Sequence, residues 1–289
     1  MDRKNTVSVI IATRNSQSTI ESAINSLLNQ SYKLHEIIIV DDYSVDPTAE
    51  IISKIKDSRI IFYKKKDEPR YLAASRNIGV NLSSGEFITF LDADDVSVSS
   101  RIDVQLNKIL ETNADVCGTN ITYKFPNRSY NSDFPNNHAE IILGFTRIRN
   151  RATIVGATMM IRRKHLIEFK YKEYLRFSQD WDLFLRLYES GFTFVNTIES
   201  LYVYNRHDSN SRVNSDWDLY NILIRYNQDC RRLGKTEVES LNHFKRKFLL
   251  IILINPIYMF YYAHLKTKRY FKKKKRKIKN EKNENYIHR

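Results

Sequence analysis

The feature that most constrains the fold is the alternation of short apolar strands with amphipathic helices along the first 110 residues. Four apolar runs have the length of buried strands, at residues 7–12, 36–40, 59–63 and 86–91. Apolar residues recur at helical spacing at residues 20–28, 47–55, 72–82 and 101–110. Strands that alternate with helices through short connections predict an α/β fold with a mainly parallel, Rossmann-like central sheet flanked by helices.

The second half of the chain has a less regular pattern. Strands are predicted at 114–125, 153–161 and 201–204, helices at 179–188 and 216–233, and a loop over the Asn-, Pro- and Ser-rich residues 126–138. We therefore predict one large domain over residues 1–235, with halves at 1–112 and 113–235. A helical extension is predicted over residues 236–289.

Positive charge is concentrated at the C-terminal end. The net charge is +14, and residues 264–289 carry +10 of it, which leaves +4 for residues 1–263. An apolar run of sixteen residues, 248–263, precedes this basic segment and is shorter than the roughly 20 residues of a membrane-spanning helix. The pattern favours a segment lying on an anionic membrane surface. The alternative is a buried helical hairpin followed by a solvated basic tail.

Other partners and compartments are disfavoured. The basic charge is confined to one tail and no nucleic-acid-binding motif is present, so we expect no nucleic acid partner. Cys117 and Cys230 form no metal or redox spacing and fit a reducing compartment. The first residues lack the apolar segment of a secretory signal. We expect a peripheral protein on the cytoplasmic face of the inner membrane.

Carboxylates cluster where two of the predicted strands end. Asp41 and Asp42 follow one strand, and Asp92, Asp94 and Asp95 follow another. Ligands of open parallel sheets bind at the carboxyl ends of the strands. Two hard oxygen ligands at this spacing suit Mn²⁺ or Mg²⁺, which keep positions open for phosphate oxygens. The alternative is an ordinary Asp-rich turn.

Four segments in this order resemble glycosyltransferase family 2. The first three are Val-Ser-Val-Ile-Ile-Ala-Thr-Arg-Asn, Ile-Ile-Val-Asp-Asp-Tyr-Ser-Val-Asp-Pro-Thr, and Arg-Asn-Ile-Gly followed by Ser-Gly-Glu-Phe-Ile-Thr-Phe-Leu-Asp-Ala-Asp-Asp. The resemblance covers residues 6–207 and implies the GT-A fold, a nucleotide-sugar donor and inversion at the anomeric carbon. It implies donor contacts from Thr13, Arg14, Asn15, Asp42, Arg76 and Asp92, and metal ligation by Asp94 and His207. Arg14 stands where the family often has Tyr, and Asn77 beside Arg76 can approach a diphosphate.

The fourth segment, Ser-Gln-Asp-Trp-Asp at 178–182, resembles the acceptor-side motif of the family. The resemblance makes Asp180 the catalytic base and places Gln179 and Trp181 at the acceptor. Gln179 replaces the usual Glu, which removes a charge and leaves open a nucleotide-sugar-binding scaffold without catalysis. Helix N-terminal capping is the alternative role for Asp180 and Asp182.

The expected reaction is transfer of a sugar from a UDP-sugar to a lipid-linked saccharide. The resemblance implies that residues 1–112 bind the donor, that 113–235 bind the acceptor, and that the product is a β-glycoside of bacterial surface polysaccharide. A nucleotidyltransferase on a similar sheet is the other enzymatic alternative. It is disfavoured because no glycine follows the first strand, at residues 13–18, to form a phosphate loop.

Overall fold

A computed structural model of the protein describes residues 5–66, 71–146, 153–205, 216–234, 236–240 and 244. The strands are β1 Val7–Thr13, β2 Glu36–Asp41, β3 Ile60–Lys64, β4 Phe87–Asp92, β5 Val96–Ser97, β6 Val116–Phe125, β7 Arg128–Asn131, β8 Met160–Arg162 and β9 Phe194–Asn205. The helices are α1 Ile20–Leu28, α2 Thr48–Lys54, α3 Tyr71–Leu82, α4 Arg101–Thr112, α5 His138–Thr146, α6 Arg163–Phe169, α7 Gln179–Glu189 and α8 Asp216–Arg232.

One sheet organises the described residues, and its strand order is β3-β2-β1-β4-β8-β6-β9-β5. The β3-β2-β1-β4 half is entirely parallel. The other half is mixed, because β8 is antiparallel to β4 and β6 while β6 and β9 are parallel. The predicted α/β class with a Rossmann-like first half is confirmed.

Helices cover the parallel half, so β1 and β2 are almost fully buried. Residues such as Val9 and Ile11 on β1 pack in one core cluster with Ile20 and Ile24 of α1. On α3, a Cβ at Gly79 would overlap the Ile10 side chain. The glycine therefore permits close packing of this helix on β1.

Three predictions for the second half need correction. The loop at 126–138 contains β7, which forms a hairpin with β6, and ends where α5 begins. All four β7 residues are exposed, so no apolar alternation marked the strand. The strand predicted at 153–161 is a 3-10 turn, Gly156–Thr158, followed by the short β8, and the strand predicted at 201–204 begins at Phe194.

The chain divides into two compact units, with the boundary between Arg212 and Val213. Within the second unit, α8 is the long helix predicted at 216–233. Among the helices that the structure describes, none has the length and apolar content needed to cross a membrane. His207 and the apolar run 248–263 lie outside the described residues, and the boundary predicted at residue 235 stays a prediction.

Candidate active site at the carboxyl edge of the sheet

The carboxyl ends of β1, β2 and β4 meet at one edge of the sheet. Thr13 on β1 is opposite Asp41 on β2, and Ala12 on β1 is opposite Asp92 on β4. Thr13 and Asp41 are buried, and each has a side-chain oxygen without a hydrogen-bond partner among the described atoms, Oγ1 and Oδ2. Buried polar atoms of this kind mark a place where a ligand or water can bind.

Asn15 connects the two loops that follow β1 and β2. Its backbone N–H donates to Ser44 Oγ at 2.9 Å, and its Oδ1 accepts from the N–H of Val45 at 2.9 Å. Ser44 in turn donates to Asp41 Oδ1 at 2.5 Å. Asn15 adopts a left-handed φ of 51°, which Asn tolerates well. Arg14 beside it is exposed, and both predicted donor-binding residues lie at this edge.

Asp42 lies in a buried ion pair that the sequence did not reveal. Lys65 Nζ is 2.7 Å from Asp42 Oδ1 and 3.0 Å from Ser75 Oγ. Lys65 is only 5% exposed, whereas Lys64 and Lys66 on either side of it are exposed. The only available signal is its position directly after β3, where its N–H donates to the Asp41 carbonyl.

Arg76 connects the predicted donor side to the predicted base. This buried side chain donates from NH1 to Asp180 and from NH2 to Asp92 Oδ1 at 3.3 Å. Its guanidinium also lies over the Phe90 ring, 4.9 Å from the centroid, and over the Tyr171 ring. Burial acts to lower the pKa of Arg76, but the charge of Asp180 and then those of neighbours including Asp92 outweigh burial and raise it.

A glycine lies directly against the Asp180 carboxylate. A Cβ built at Gly156 in the 3-10 turn would overlap this carboxylate. Gly156 lies within residues 113–235, the range expected to bind the acceptor, but the sequence motifs gave this glycine no role. Asp180 and Asp182 are the acidic residues of the first turn of α7, where negative charge suits the helix N-terminus. The Asp180 carboxylate also contacts Arg76 and the Gly156 turn.

Other residues of these motifs have structural contacts. Asp182 is buried in the first turn of α7 and accepts from Arg186 Nε of the same helix at 2.8 Å. Gln179 is buried and Trp181 is half-buried in the same turn of α7. Asn77 exchanges hydrogen bonds with the backbone of Tyr171, at 2.9 Å each, which holds α3 to that segment. Its predicted approach to a diphosphate is therefore replaced by a structural role.

The acidic turn after β4 divides its carboxylates between two tasks. Asp95 is buried and accepts two hydrogen bonds, one from the Tyr202 hydroxyl at 2.7 Å and one from the Asn205 N–H at 2.9 Å. Burial, and next the charge of Asp92, raise the pKa of Asp95 to about 8. Asp95 therefore anchors the turn to β9. Asp92 and Asp94 are both partly exposed at the edge.

The carboxylates of Asp92 and Asp94 suit a divalent cation whose other ligands come from the substrate and water. Within the described ranges, no group of three His, Cys, Asp or Glu side chains forms a full metal site. Mg²⁺ usually uses one or two protein carboxylates together with phosphate oxygens and water. The predicted Asp94 and Asp92 are consistent with that pattern, and the other predicted ligand, His207, is outside the described residues.

Comparison with known proteins decides the family. The model of "Glycosyl transferase family 2" matches residues 8–169, which is more than half of the chain. The chain belongs to glycosyltransferase family 2. The matched residues contain the whole acidic edge of this glycosyltransferase but end before Asp180. The position of Asp180 therefore rests on its contacts with Arg76 and Gly156.

Several relatives of this glycosyltransferase are themselves glycosyltransferases. One from Escherichia coli, a UDP-Glc:alpha-D-GlcNAc-diphosphoundecaprenol beta-1,3-glucosyltransferase, is 46% identical over 35% of this chain and 40% of its own length. A GalNAc(5)-diNAcBac-PP-undecaprenol beta-1,3-glucosyltransferase of Campylobacter jejuni is 27% identical over 70% of this chain and 66% of its own. The chain thus spans less than two thirds of these proteins.

A solved structure supports the fold. The crystal structure of S. aureus TarS 1-349 in complex with UDP-GlcNAc aligns with a TM-score of 0.62 and 20% identity, over 76% of this chain and 66% of that one. The GT-A fold implied by the sequence motifs is therefore confirmed for this glycosyltransferase.

Proposed function

We propose that this enzyme is a metal-dependent, inverting glycosyltransferase that moves a hexose or N-acetylhexosamine from a UDP-sugar to a hydroxyl of a polyprenyl-diphosphate-linked saccharide. The observation that carries the proposal is the bridge from Asp180 through Arg76 to Asp92. One guanidinium separates the base that must face the acceptor from a carboxylate of the donor edge. A base and a donor site this close are what a direct displacement requires.

The residues at the carboxyl ends of β1 and β2 support the assignment of this edge of the sheet as the donor site. Thr13, Arg14 and Asn15 end β1, and Asp42 is held by Lys65 at the end of β2. Asp42 would accept a hydrogen bond from the uracil edge with an oxygen that the lysine orients. The TarS structure of the same fold is a complex with UDP-GlcNAc, which makes UDP the nucleotide to test first.

The proposed chemistry is a single displacement. Asp180 takes the proton of the acceptor hydroxyl as its oxygen bonds to the anomeric carbon, and the bond from that carbon to the diphosphate oxygen breaks. Attack from the opposite side inverts the centre, so an α-linked donor gives a β-glycoside. A Mn²⁺ or Mg²⁺ ion held by Asp94 and Asp92 would offset the charge of the leaving diphosphate. Arg76 must exchange its contact with Asp180 for donor oxygens before Asp180 can serve as base.

The acceptor class is supported by the relatives and by the tail. The names of the Escherichia coli and Campylobacter jejuni relatives both specify saccharides linked to undecaprenol through a diphosphate. The C-terminal extension with its basic segment suits peripheral attachment to the cytoplasmic face of the inner membrane, where bacterial surface polysaccharide is assembled. Deletion of residues 245–289 should abolish co-flotation with anionic vesicles; retention of flotation would rule out this tail as the anchor.

The test of the function is a transfer assay with a panel of UDP- and GDP-sugars, with Mn²⁺, Mg²⁺ or EDTA. Asp180→Asn should bind UDP as wild type does but lose transfer by at least about 100-fold, as expected for removal of a general base. Asp94→Ala should lose metal-dependent UDP binding. Asp103→Asn, an exposed acid on α4, is the matched control and should behave as wild type.

The buried Gln179 favours one other function, a scaffold that binds nucleotide sugars without turnover. The scaffold function would be supported if wild type bound UDP-sugars without hydrolysis or transfer and if Gln179→Glu restored transfer. Absence of binding to every nucleotide sugar in the panel would refute both functions.

A further inference from the structure

A row of aromatic side chains crosses three neighbouring strands in the second half of the sheet. Tyr123 on β6 is paired with Tyr204 on β9 and with Tyr130 on β7. The ring centroid of Tyr123 is 5.8 Å from that of Tyr204 and 5.0 Å from that of Tyr130. Because paired residues on adjacent strands point to the same face, the three rings lie on one face of the sheet. Tyr123 and Tyr204 are partly buried against the core, and Tyr130 is exposed.

A second pair extends this surface at the hairpin end. The Phe125 ring stacks on Tyr130 with centroids 5.8 Å apart, and the Arg128 guanidinium lies 4.9 Å from the Phe125 centroid. We call these five residues, Tyr204, Tyr123, Tyr130, Phe125 and Arg128, the aromatic row. Its outer end is therefore cationic.

The inner end of the aromatic row lies beside the acidic turn. Tyr204 is two residues after Tyr202 on β9, so both side chains lie on one face of the sheet. The Tyr202 hydroxyl accepts from the Asp92 N–H at 3.1 Å and donates to Asp95 at 2.7 Å. On the other side of Tyr204, Asn205 Nδ2 donates to the Asp94 carbonyl at 2.8 Å. The aromatic row thus begins at the donor edge and leads away from it over two strand spacings, roughly 10 Å.

The exposure and chemistry of the aromatic row select a class of ligand. Tyr130 is 50% exposed, and all of β7 is open to solvent. A tyrosine has an apolar ring face and a polar hydroxyl, and the C–H face of a pyranose stacks on such a ring while its hydroxyls bond to polar tips. A lipid chain would instead favour a purely apolar groove. The nucleotide is expected at the opposite part of the edge, at β1 and β2.

We infer that the aromatic row binds the saccharide of the acceptor, and that Arg128 at its outer end faces the diphosphate that links this saccharide to its lipid. This inference rests on the proposed function and names the recognition surface of the same site. A saccharide stacked on Tyr123 and Tyr130 would present its far hydroxyl toward Asp94 and the donor sugar. Its diphosphate would lie toward the cationic end, where a guanidinium binds phosphate oxygens well.

Tyr130 offers the cleanest test because it is half exposed. The probe is an N-acetylhexosamine α-linked to a diphosphate with a short alkyl chain, assayed with a UDP-sugar. Tyr130→Ala should raise the acceptor KM by about tenfold, which corresponds to about 1.4 kcal/mol, and should leave the donor KM and UDP binding unchanged. Tyr130→Trp should restore the acceptor KM. Tyr63→Ala, which removes a tyrosine 41% exposed on the edge strand β3, should change neither KM.

Arg128→Gln separates the two parts of the inference. It should weaken binding of the diphosphate probe, measured directly by calorimetry, and leave binding of the free N-acetylhexosamine unchanged. Equal acceptor affinities of wild type and Tyr130→Ala would overturn the inference, and a change in thermal stability alone would make the aromatic row a hairpin-stabilising cluster. If wild type turns over no nucleotide sugar, the proposed function fails. Calorimetry then still decides the inference, because loss of probe binding in Tyr130→Ala supports it and undiminished or absent binding overturns it.

Discussion

The contact between Gly156 and Asp180 gives a sharp prediction for catalysis. An alanine Cβ at residue 156 would lie 2.5 Å from Asp180 Oδ1, whereas ordinary van der Waals contact begins at 3.4 Å. Asp180 Cγ and Oδ2 would lie closer still, so the carboxylate must move by at least about 0.9 Å, and a misplacement of about 1 Å at a reacting group can cost about 100-fold in rate. We expect Gly156→Ala to lower kcat by about 100-fold, equivalent to about 2.7 kcal/mol of transition-state stabilisation.

The assay is transfer from the UDP-sugar that wild type uses, together with UDP calorimetry and thermal unfolding of each variant. UDP affinity should stay near the wild-type value, because the three atoms nearest to an added Cβ at residue 156 all belong to Asp180. Gly79→Ala is the matched control, since its Cβ would overlap Ile10 in the core and leave Asp180 untouched. It should lose stability but keep kcat. A stable Gly156→Ala enzyme with wild-type kcat would refute the assignment of Asp180 as a carboxylate fixed by this turn.

Three further predictions concern the supports of the site. Lys65→Met should lower the unfolding free energy by about 3 kcal/mol, because it removes the charged partner of the buried Asp42. Lys54→Met, which breaks an exposed pair with Glu50, should leave the unfolding free energy unchanged in the same urea titrations. Tyr202→Phe should cost about 1–2 kcal/mol in thermal unfolding and raise the donor KM, because it removes the hydroxyl between Asp92 and Asp95; an unchanged donor KM would contradict this. Burial acts to raise the pKa of Glu36, but hydrogen bonds from Ser8 and Ser84 outweigh burial and lower this pKa. The stabilisation that Glu36 contributes is therefore present above its pKa in the unfolded chain, and it is lost as pH falls through its pKa in the folded protein. Glu36→Gln should therefore flatten the acid limb of a stability-against-pH curve, and an unaltered limb would show that Glu36 is not its source.

The first half of the fold was accessible from sequence because its signal is local. Each strand of β3-β2-β1-β4 is a short run of mostly apolar side chains bounded by a helix of regular period, and chain order gives the parallel arrangement. The edge at Asp41 and Asp92 follows directly, since parallel strands end together. In the second half, β7 has no buried face and therefore no alternation to detect. The strand at 153–161 was inferred from apolar content that the structure uses in a turn and a short strand.

The candidate site was accessible only in part, because its central contacts join residues distant in sequence. Arg76 was expected near the donor from its motif, but its hydrogen bond to Asp180 spans 104 positions. Lys65 is the middle residue of three lysines, and only the pairing of β2 with β3 distinguishes it from its neighbours. The φ of Gly156 is not positive, so its backbone conformation does not call for glycine. A larger residue is excluded because the Asp180 carboxylate lies directly against residue 156.

These long-range contacts suggest why transfer would require both substrates. Arg76 contacts both Asp180 and Asp92, so an acceptor hydroxyl would meet a carboxylate already engaged by a guanidinium. A diphosphate at the donor edge competes for Arg76, because two phosphates offer it more negative charge than Asp180 does. In the proposed mechanism a bound donor would thereby free Asp180, whose carboxylate lies against the Gly156 turn. A donor-first kinetic order follows from this exchange, and product-inhibition patterns that showed free binding of acceptor before donor would argue against it.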